Sequence, residues 1–192
     1  MKKMVFALLL ISSVAWSQRA KVLSGNFDNL KGISEFNLTF SYDGLTVDKF
    51  KTEEEFLADK MKKREEKGKD EAFRESWFAD RERRYEPKFI ESFNKRFDGK
   101  VKADRNLSSA KYTINVKTTW IHPGFNVGIS RSNSKVSAII TVFETANPSN
   151  VLLSVNYDKA EGAGAFGMDY DSGYRISESY AKLAKTFAGD IK

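Results

Sequence analysis

The sequence predicts an α+β fold: an antiparallel sheet packed against a long, kinked, charged helix pair and a C-terminal amphipathic helix. Three observations carry this. Four stretches alternate apolar and polar residues, as half-buried strands do. Between the first and second lies a charged block whose aromatic residues recur at multiples of four, the spacing of one helix face. The chain then closes on Ile176, Tyr180, Leu183, Phe187 and Ile191, a second helical face. Strands and helices are segregated along the chain, which favours α+β over alternating βαβ architecture.

Residues 1–17 read MKKMVFALLLISSVAWS. Lys2 and Lys3 precede an unbroken apolar run from Val5 to Ile11, and Ala15 and Ser17 are the small residues ahead of a cut. This order predicts a secretory signal peptide, leaving 18–192 as a single α+β domain. The first strand follows: Phe36, Leu38, Phe40 and Tyr42 alternate with polar residues, and Asp43-Gly44 offers a tight turn toward Leu45 and Val47. Thr52 and Glu55 form a capping box for a helix that turns Phe56, Leu57 and Met61 inward, and Gly68 breaks or frays it. In the next helix Phe73, Trp77, Tyr85, Phe89, Phe93 and Phe97 share one face with Ile90, which reads as core rather than a cofactor box. Pro87 removes an amide hydrogen and crowds the turn before it, so a kink or restart is expected near Tyr85.

Three more strands are expected. Tyr112, Ile114, Val116 and Thr118 alternate and end at Trp120; Val136, Ala138, Ile140 and Val142 follow, then Val151, Leu153 and Val155. Asn147-Pro148-Ser149-Asn150 has the chemistry of a hairpin turn between the last two. With these strands antiparallel, loops 122–134 and 159–173 share the opposite end of the sheet. Long loops in compact domains often carry function, so that rim is where a site is expected.

Composition narrows the chemistry. The 192 residues include no cysteine and one histidine, with 32 basic against 26 acidic side chains. The absence of cysteine excludes disulfides, thiolate metal sites, thiol nucleophiles and a lipidated-cysteine anchor. One histidine excludes a multi-histidine metal site within one chain. After Lys2 and Lys3 are removed with the signal, 32 − 2 leaves 30 basic residues and a net charge of +4. Residues 51–100 hold 15 basic and 14 acidic side chains in fine alternation, a solvated helical surface rather than a nucleic-acid stripe. No later stretch is apolar enough to span a bilayer. The mature chain is thus expected to be exported and soluble, periplasmic or extracellular, with no nucleotide or other cofactor.

Each chemical motif has a plainer structural explanation. Gly162, Gly164 and Gly167 match G-x-G-x-x-G, but the 25 residues after Gly167 form one helix and leave no room for the rest of a dinucleotide fold. Asp169 and Asp171 open like a calcium loop, yet Gly173 and Tyr180 stand where further ligands belong, so these acids read as helix entry. His122, in Trp120-Ile-His-Pro-Gly-Phe125, offers an imidazole, the side chain most often used as a general base. No G-x-S-x-G frame places a nucleophile for it, and His-Pro-Gly reads as a turn. The carboxylate pairs Glu65/Glu66, Asp70/Glu71 and Asp169/Asp171 read as solvated acids, and Arg81, Arg83 and Arg84 as partners of Asp80, Glu82 and Glu86.

The stretches KGISEFNLTFSYDGLTV (31–47), WFADRERRYEPKFIESFN (77–94), WIHPGFNVG (120–128) and MDYDSGYRISESYAKLAK (168–185) resemble a family of uncharacterised exported proteins of Gram-negative bacteria. The second half also resembles small α+β domains of cell-envelope accessory proteins. The resemblance implies an envelope location and supplies no catalytic or binding residues. Such accessory proteins are often lipid-anchored, through a cysteine this chain lacks. The expected function is an exported binding or interaction module whose partner is an envelope protein or glycan, with Trp120, Phe125, Arg131 and Phe166 on the contact rim. The alternative is an acid-pair hydrolase of envelope carbohydrate, which requires two carboxylates across a concave pocket, one with a raised pKa.

Overall fold

The computed structural model describes residues 20–126, 130–162 and 171–192. The expected signal peptide lies outside them. The described residues form an α+β fold built on a seven-stranded sheet. Its strands are β1 (Lys21–Gly25), β2 (Glu35–Ser41), β3 (Thr46–Val47), β4 (Lys102–Asp104), β5 (Tyr112–His122), and two long strands, Lys135–Glu144 and Asn147–Glu161, called β8 and β9. Between β5 and β8 lies a separate hairpin, β6 (Phe125–Asn126) and β7 (Arg131–Ser132). The order across the sheet is β1-β9-β8-β5-β2-β4, with β3 beside β5.

The sheet is mixed, which corrects the antiparallel expectation. β5, β8, β9 and β1 are antiparallel neighbours, whereas β2 runs parallel to both β5 and β4, and β3 parallel to β5. The cause is the helical block between β3 and β4. It carries the chain back to its starting end, and a strand reached through such a crossover enters in the same direction as the one before it.

The last hairpin is also corrected. Its turn is Thr145-Ala146, and Asn147–Asn150 belong to the start of β9, where Glu144 pairs with Asn147 and Phe143 with Val151. Pro148 falls within this irregular, exposed overhang, where no regular ladder bond is required of it.

One face of the sheet is buried. Ile114, Val116 and Thr118, Ala138, Ile140 and Val142, and Leu153, Val155 and Tyr157 all lie beneath the helices. The opposite face carries Asn115, Lys117, Thr119, Thr141, Ser154 and Asn156, half-buried or exposed. Helix α1 (Glu53–Lys62) opens on Thr52, whose hydroxyl accepts the Glu55 amide at 3.1 Å. The Glu55 carboxylate accepts from the Lys51 amide (3.0 Å), one residue outside the usual box. Gly68 adopts a left-handed φ of 59° after this segment.

Next come α2 (Asp70–Asp80), a π-helical turn at Arg81–Tyr85, and α3 (Glu86–Asn94), one continuous helical run. The expected kink near Tyr85 takes the form of this widened turn. Pro87 cannot donate to the carbonyl four residues back, and the π-turn directly before it, with the Glu86 amide bonded to Arg81 O, supplies the slack. The aromatic face is core: Trp77, Tyr85, Phe89, Phe93 and Phe97 are buried. Helix α4 (Ser172–Asp190) packs parallel to α3. Contacts rise together along both, from Lys88–Glu178 (2.9 Å) to the stacked Phe93–Phe187 rings (5.9 Å).

Candidate functional site

β5 ends at His122, and Pro123-Gly124 leads into the β6–β7 hairpin. Gly124 has φ +68°, and a β-carbon there would stand 2.5 Å from Ser132 O and 2.8 Å from Ser134 N. Only glycine allows the two backbones to close in this way. Arg175, 5% exposed on α4, supports the turn from beneath, its Nε donating to Pro123 O (3.2 Å) and its Nη2 to Gly124 O (3.4 Å).

Beside it, the Ser134 hydroxyl bonds Arg175 O and meets Ser179 Oγ at 2.7 Å. The Gly162 amide donates to Ser134 O and to Ser179 Oγ, both at 3.1 Å. A β-carbon on Gly162 would lie 2.6 Å from Ser179 N, so this first glycine of the G-x-G-x-x-G run serves a close approach to α4. Gly164 and Gly167 lie outside the described residues. Hairpin, β9 exit and the α4 start are therefore joined at one end of the sheet.

A polar chain crosses the top of this end. Asp48 follows β3 with a left-handed φ of 54°. Its amide donates to Ile121 O (2.7 Å), its carbonyl accepts from Trp120 Nε1 (3.0 Å), and its carboxylate Oδ1 stands 3.0 Å from His122 Nδ1. The other ring nitrogen, Nε2, is 3.0 Å from Ser132 Oγ. Trp120 lies nearly parallel to the imidazole, at 11° and 6.0 Å, with the Lys159 ammonium 5.8 Å from the indole.

Of the expected rim residues, Trp120 ends β5 within this chain of contacts, Phe125 stands 43% exposed on β6, and Arg131 is exposed on β7 opposite Asn126. Phe166 lies outside the described residues. Asp48 and Ser132 escaped the sequence reading because they reach His122 from 74 and 10 residues away. No local spacing announces such a contact.

The calcium alternative divides similarly. Asp169 lies outside the described residues. Asp171 caps α4, accepting the Tyr174 amide at 3.1 Å, and its other oxygen meets Arg84. Among the described residues no three His, Cys, Asp or Glu side chains form a group that could hold a metal ion. Nor is any described helix long and apolar enough to cross a membrane.

A cleft of about 590 Å³ opens between β2 and the π-turn, lined among others by Leu38, Phe40, Tyr42, Glu82, Glu86 and Arg105. Burial pushes the Glu86 carboxyl up, against the opposing pull of Arg105 (2.7 Å) and the Tyr42 hydroxyl (3.4 Å). Among the described residues the lining acids are Glu82 and Glu86, both on one helical run, and the facing β2 wall, Leu38 to Phe40, carries none. Acid–base cleavage requires carboxylates on both sides of the bond. The expectation that acids of the charged block are solvated is corrected at Glu53, Asp80 and Glu86, all buried. Each has an arginine partner: Arg81, Arg84 and Arg105 respectively.

Comparisons with protein-family models, with curated proteins and with solved structures give no match to this chain. Its fold and rim define a mixed-sheet α+β protein with a braced, polar and aromatic loop end.

Proposed function

We propose that the protein is an exported binding module of the cell envelope, taking an envelope protein or glycan at the loop end of its sheet. The supporting observation is the exposed Phe125 on a hairpin held by buried Arg175. An aromatic side chain on a fixed, exposed element loses little freedom on contact and buries much area, the usual makings of an anchor. Trp120, with its stacked imidazole and nearby ammonium, adds a polar aromatic platform. The rival reading, an acid-pair hydrolase, has the raised Glu86 in its favour and, among the described residues, no acid on the facing wall.

The test is affinity capture of the tagged chain Gln18 to Lys192 from its native envelope, read by quantitative mass spectrometry, beside thermal-shift screens with envelope glycans. A partner or glycan retained by the wild type and lost by Phe125→Ala supports the reading. No enrichment and no shift overturn it. Edman sequencing of secreted full-length chain tests export: a start at Gln18 is expected, and an intact Met1 in the cytosol contradicts it.

A further inference from the structure

We propose that Ser132 is a nucleophile, with His122 as its general base and Asp48 as the positioning residue, and that the site takes carboxylic esters or similarly activated acyl groups. The proposal goes beyond the binding reading and stands on geometry alone. The three side chains come from three separate elements: the residue after β3, the end of β5 and the end of β7. They meet in a line, Asp48 Oδ1 to His122 Nδ1 at 3.0 Å and His122 Nε2 to Ser132 Oγ at 3.0 Å.

The hydrogen-bond chemistry matches one direction of proton flow. In the neutral tautomer whose Nδ1–H donates to the Asp48 carboxylate, His122 Nε2 presents its lone pair to the serine hydroxyl. Ser132 has a second acceptor, Asn133 O, at the longer distance of 3.4 Å. Nucleophile, base and orienting acid within hydrogen-bond reach are recognised by geometry and role, whatever their order in the chain.

The backbone around the triad is held in place from several sides. Asp48 holds a left-handed backbone, fixed through Ile121 O and Trp120 Nε1. Gly124 allows Ser132 close to the strand end, and buried Arg175 holds the turn. His122 is mostly shielded, its side chain 19% exposed, while Asp48 remains open at 43%.

In the step proposed, Ser132 Oγ bonds to the acyl carbon as its proton passes to His122 Nε2. The carbon–alkoxide bond breaks, the alcohol departs with that proton, and water then releases the acid by the same route in reverse. No oxidant, reductant or metal is consumed.

A fluorophosphonate probe on the folded full chain, read by intact mass and peptide mapping, tests the nucleophile. Phosphonylation at Ser132 is expected, absent in Ser132→Ala and slowed about 100-fold or more in Asp48→Asn. Asparagine tolerates a left-handed φ, so that variant changes the acid and keeps the backbone. No adduct at Ser132, or equal rates in Asp48→Asn, overturns the proposal. A second measurement is independent of probe fit. The chain has no cysteine, so Ser132→Cys introduces one thiol. Its alkylation by iodoacetamide at neutral pH is expected at least about tenfold faster than in Ser132→Cys/His122→Gln. Equal rates in two variants with matching circular dichroism and melting show that His122 does not activate position 132, and the proposal fails.

Discussion

Gly173 packs directly against the Asp80 carboxylate: a β-carbon at 173 would lie 2.0 Å from Asp80 Oδ2, so any larger residue there obliges that carboxylate to move. The contact joins the end of α2 to the first turn of α4. Arg84 completes it, with its Nε 3.0 Å from Asp80 Oδ1 and an ion pair to the α4 cap Asp171. Burial pushes the Asp80 carboxyl above its usual range, and Arg84 only partly offsets it. Burial also works against the Asp171 charge, but Arg84 and the amides of Tyr174 and Gly173 outweigh it and hold that carboxyl low.

Gly173→Ala sets two effects against each other. Alanine gains up to about 1 kcal/mol over glycine in a helix interior and less in the first turn, where Gly173 lies, whereas crowding the buried, Arg84-paired Asp80 carboxylate costs about 1–3 kcal/mol. The clash should win, and the variant should lose about 1 kcal/mol in urea denaturation. In an Asp80→Ala background the obstruction is gone, and the same change should become neutral or stabilising. Equal costs in both backgrounds would place the defect elsewhere.

Glu53 accepts from Trp77 Nε1 (2.6 Å) and pairs through both oxygens with Arg81, in side chains only 10% and 18% exposed. Removing one partner leaves a shielded charge alone, which costs about 3–5 kcal/mol in comparable pairs. Arg81 also lies over Tyr42, 4.1 Å from the ring centre, so some loss is packing. Arg81→Met should therefore cost about 3 kcal/mol. Glu53→Met/Arg81→Met should cost less than the two single changes added, with a coupling of about 1–3 kcal/mol in a double-mutant denaturation cycle.

The strand alternations at 36–42 and 112–120 and the four-residue aromatic period were legible because each is a local pattern set by burial on one face. The mixed sheet was not, since alternation says which face a strand buries and nothing about its neighbour's direction. Glu53 and Glu86 sit in runs that resemble any solvated helix surface, and their burial follows from Arg81 and Arg105 arriving from elsewhere. His122 was visible as a residue, while its relation to Asp48 exists only once β3 lies beside β5.

Glu86 gives a pH dependence with a definite sign. Its carboxyl is raised from 4.5, chiefly by burial. A carboxyl raised on folding binds its proton more tightly in the folded state, so its contribution favours folding at acid pH. That contribution declines as pH climbs above 4.5, the unfolded value, and through the folded one. Glutamine at this position does not titrate. The stability of Glu86→Gln relative to wild type should rise between about pH 4 and pH 7, read by denaturation at each pH. A flat difference would mean that Arg105 fully offsets the desolvation.

Arg175 offers the most direct test of how the rim is held. Its guanidinium reaches two successive carbonyls, Pro123 O and Gly124 O, from within the helix layer. A lysine ammonium carries the same charge at a single point and lacks the planar fork that serves both acceptors. Arg175→Lys should therefore loosen the hairpin more than the sheet. Amides of residues 125, 126, 131 and 132 should lose about tenfold in hydrogen-exchange protection, equivalent to about 1.4 kcal/mol of local stability. Amides of β8 and β9 between Ala138 and Val155 should change far less, because Leu153, Val155 and Ile140 remain buried there. Uniform loss across sheet and hairpin would assign Arg175 to the global core. Unchanged hairpin exchange would show that Gly124 and the Ser134–Ser179 contact fix the rim without it.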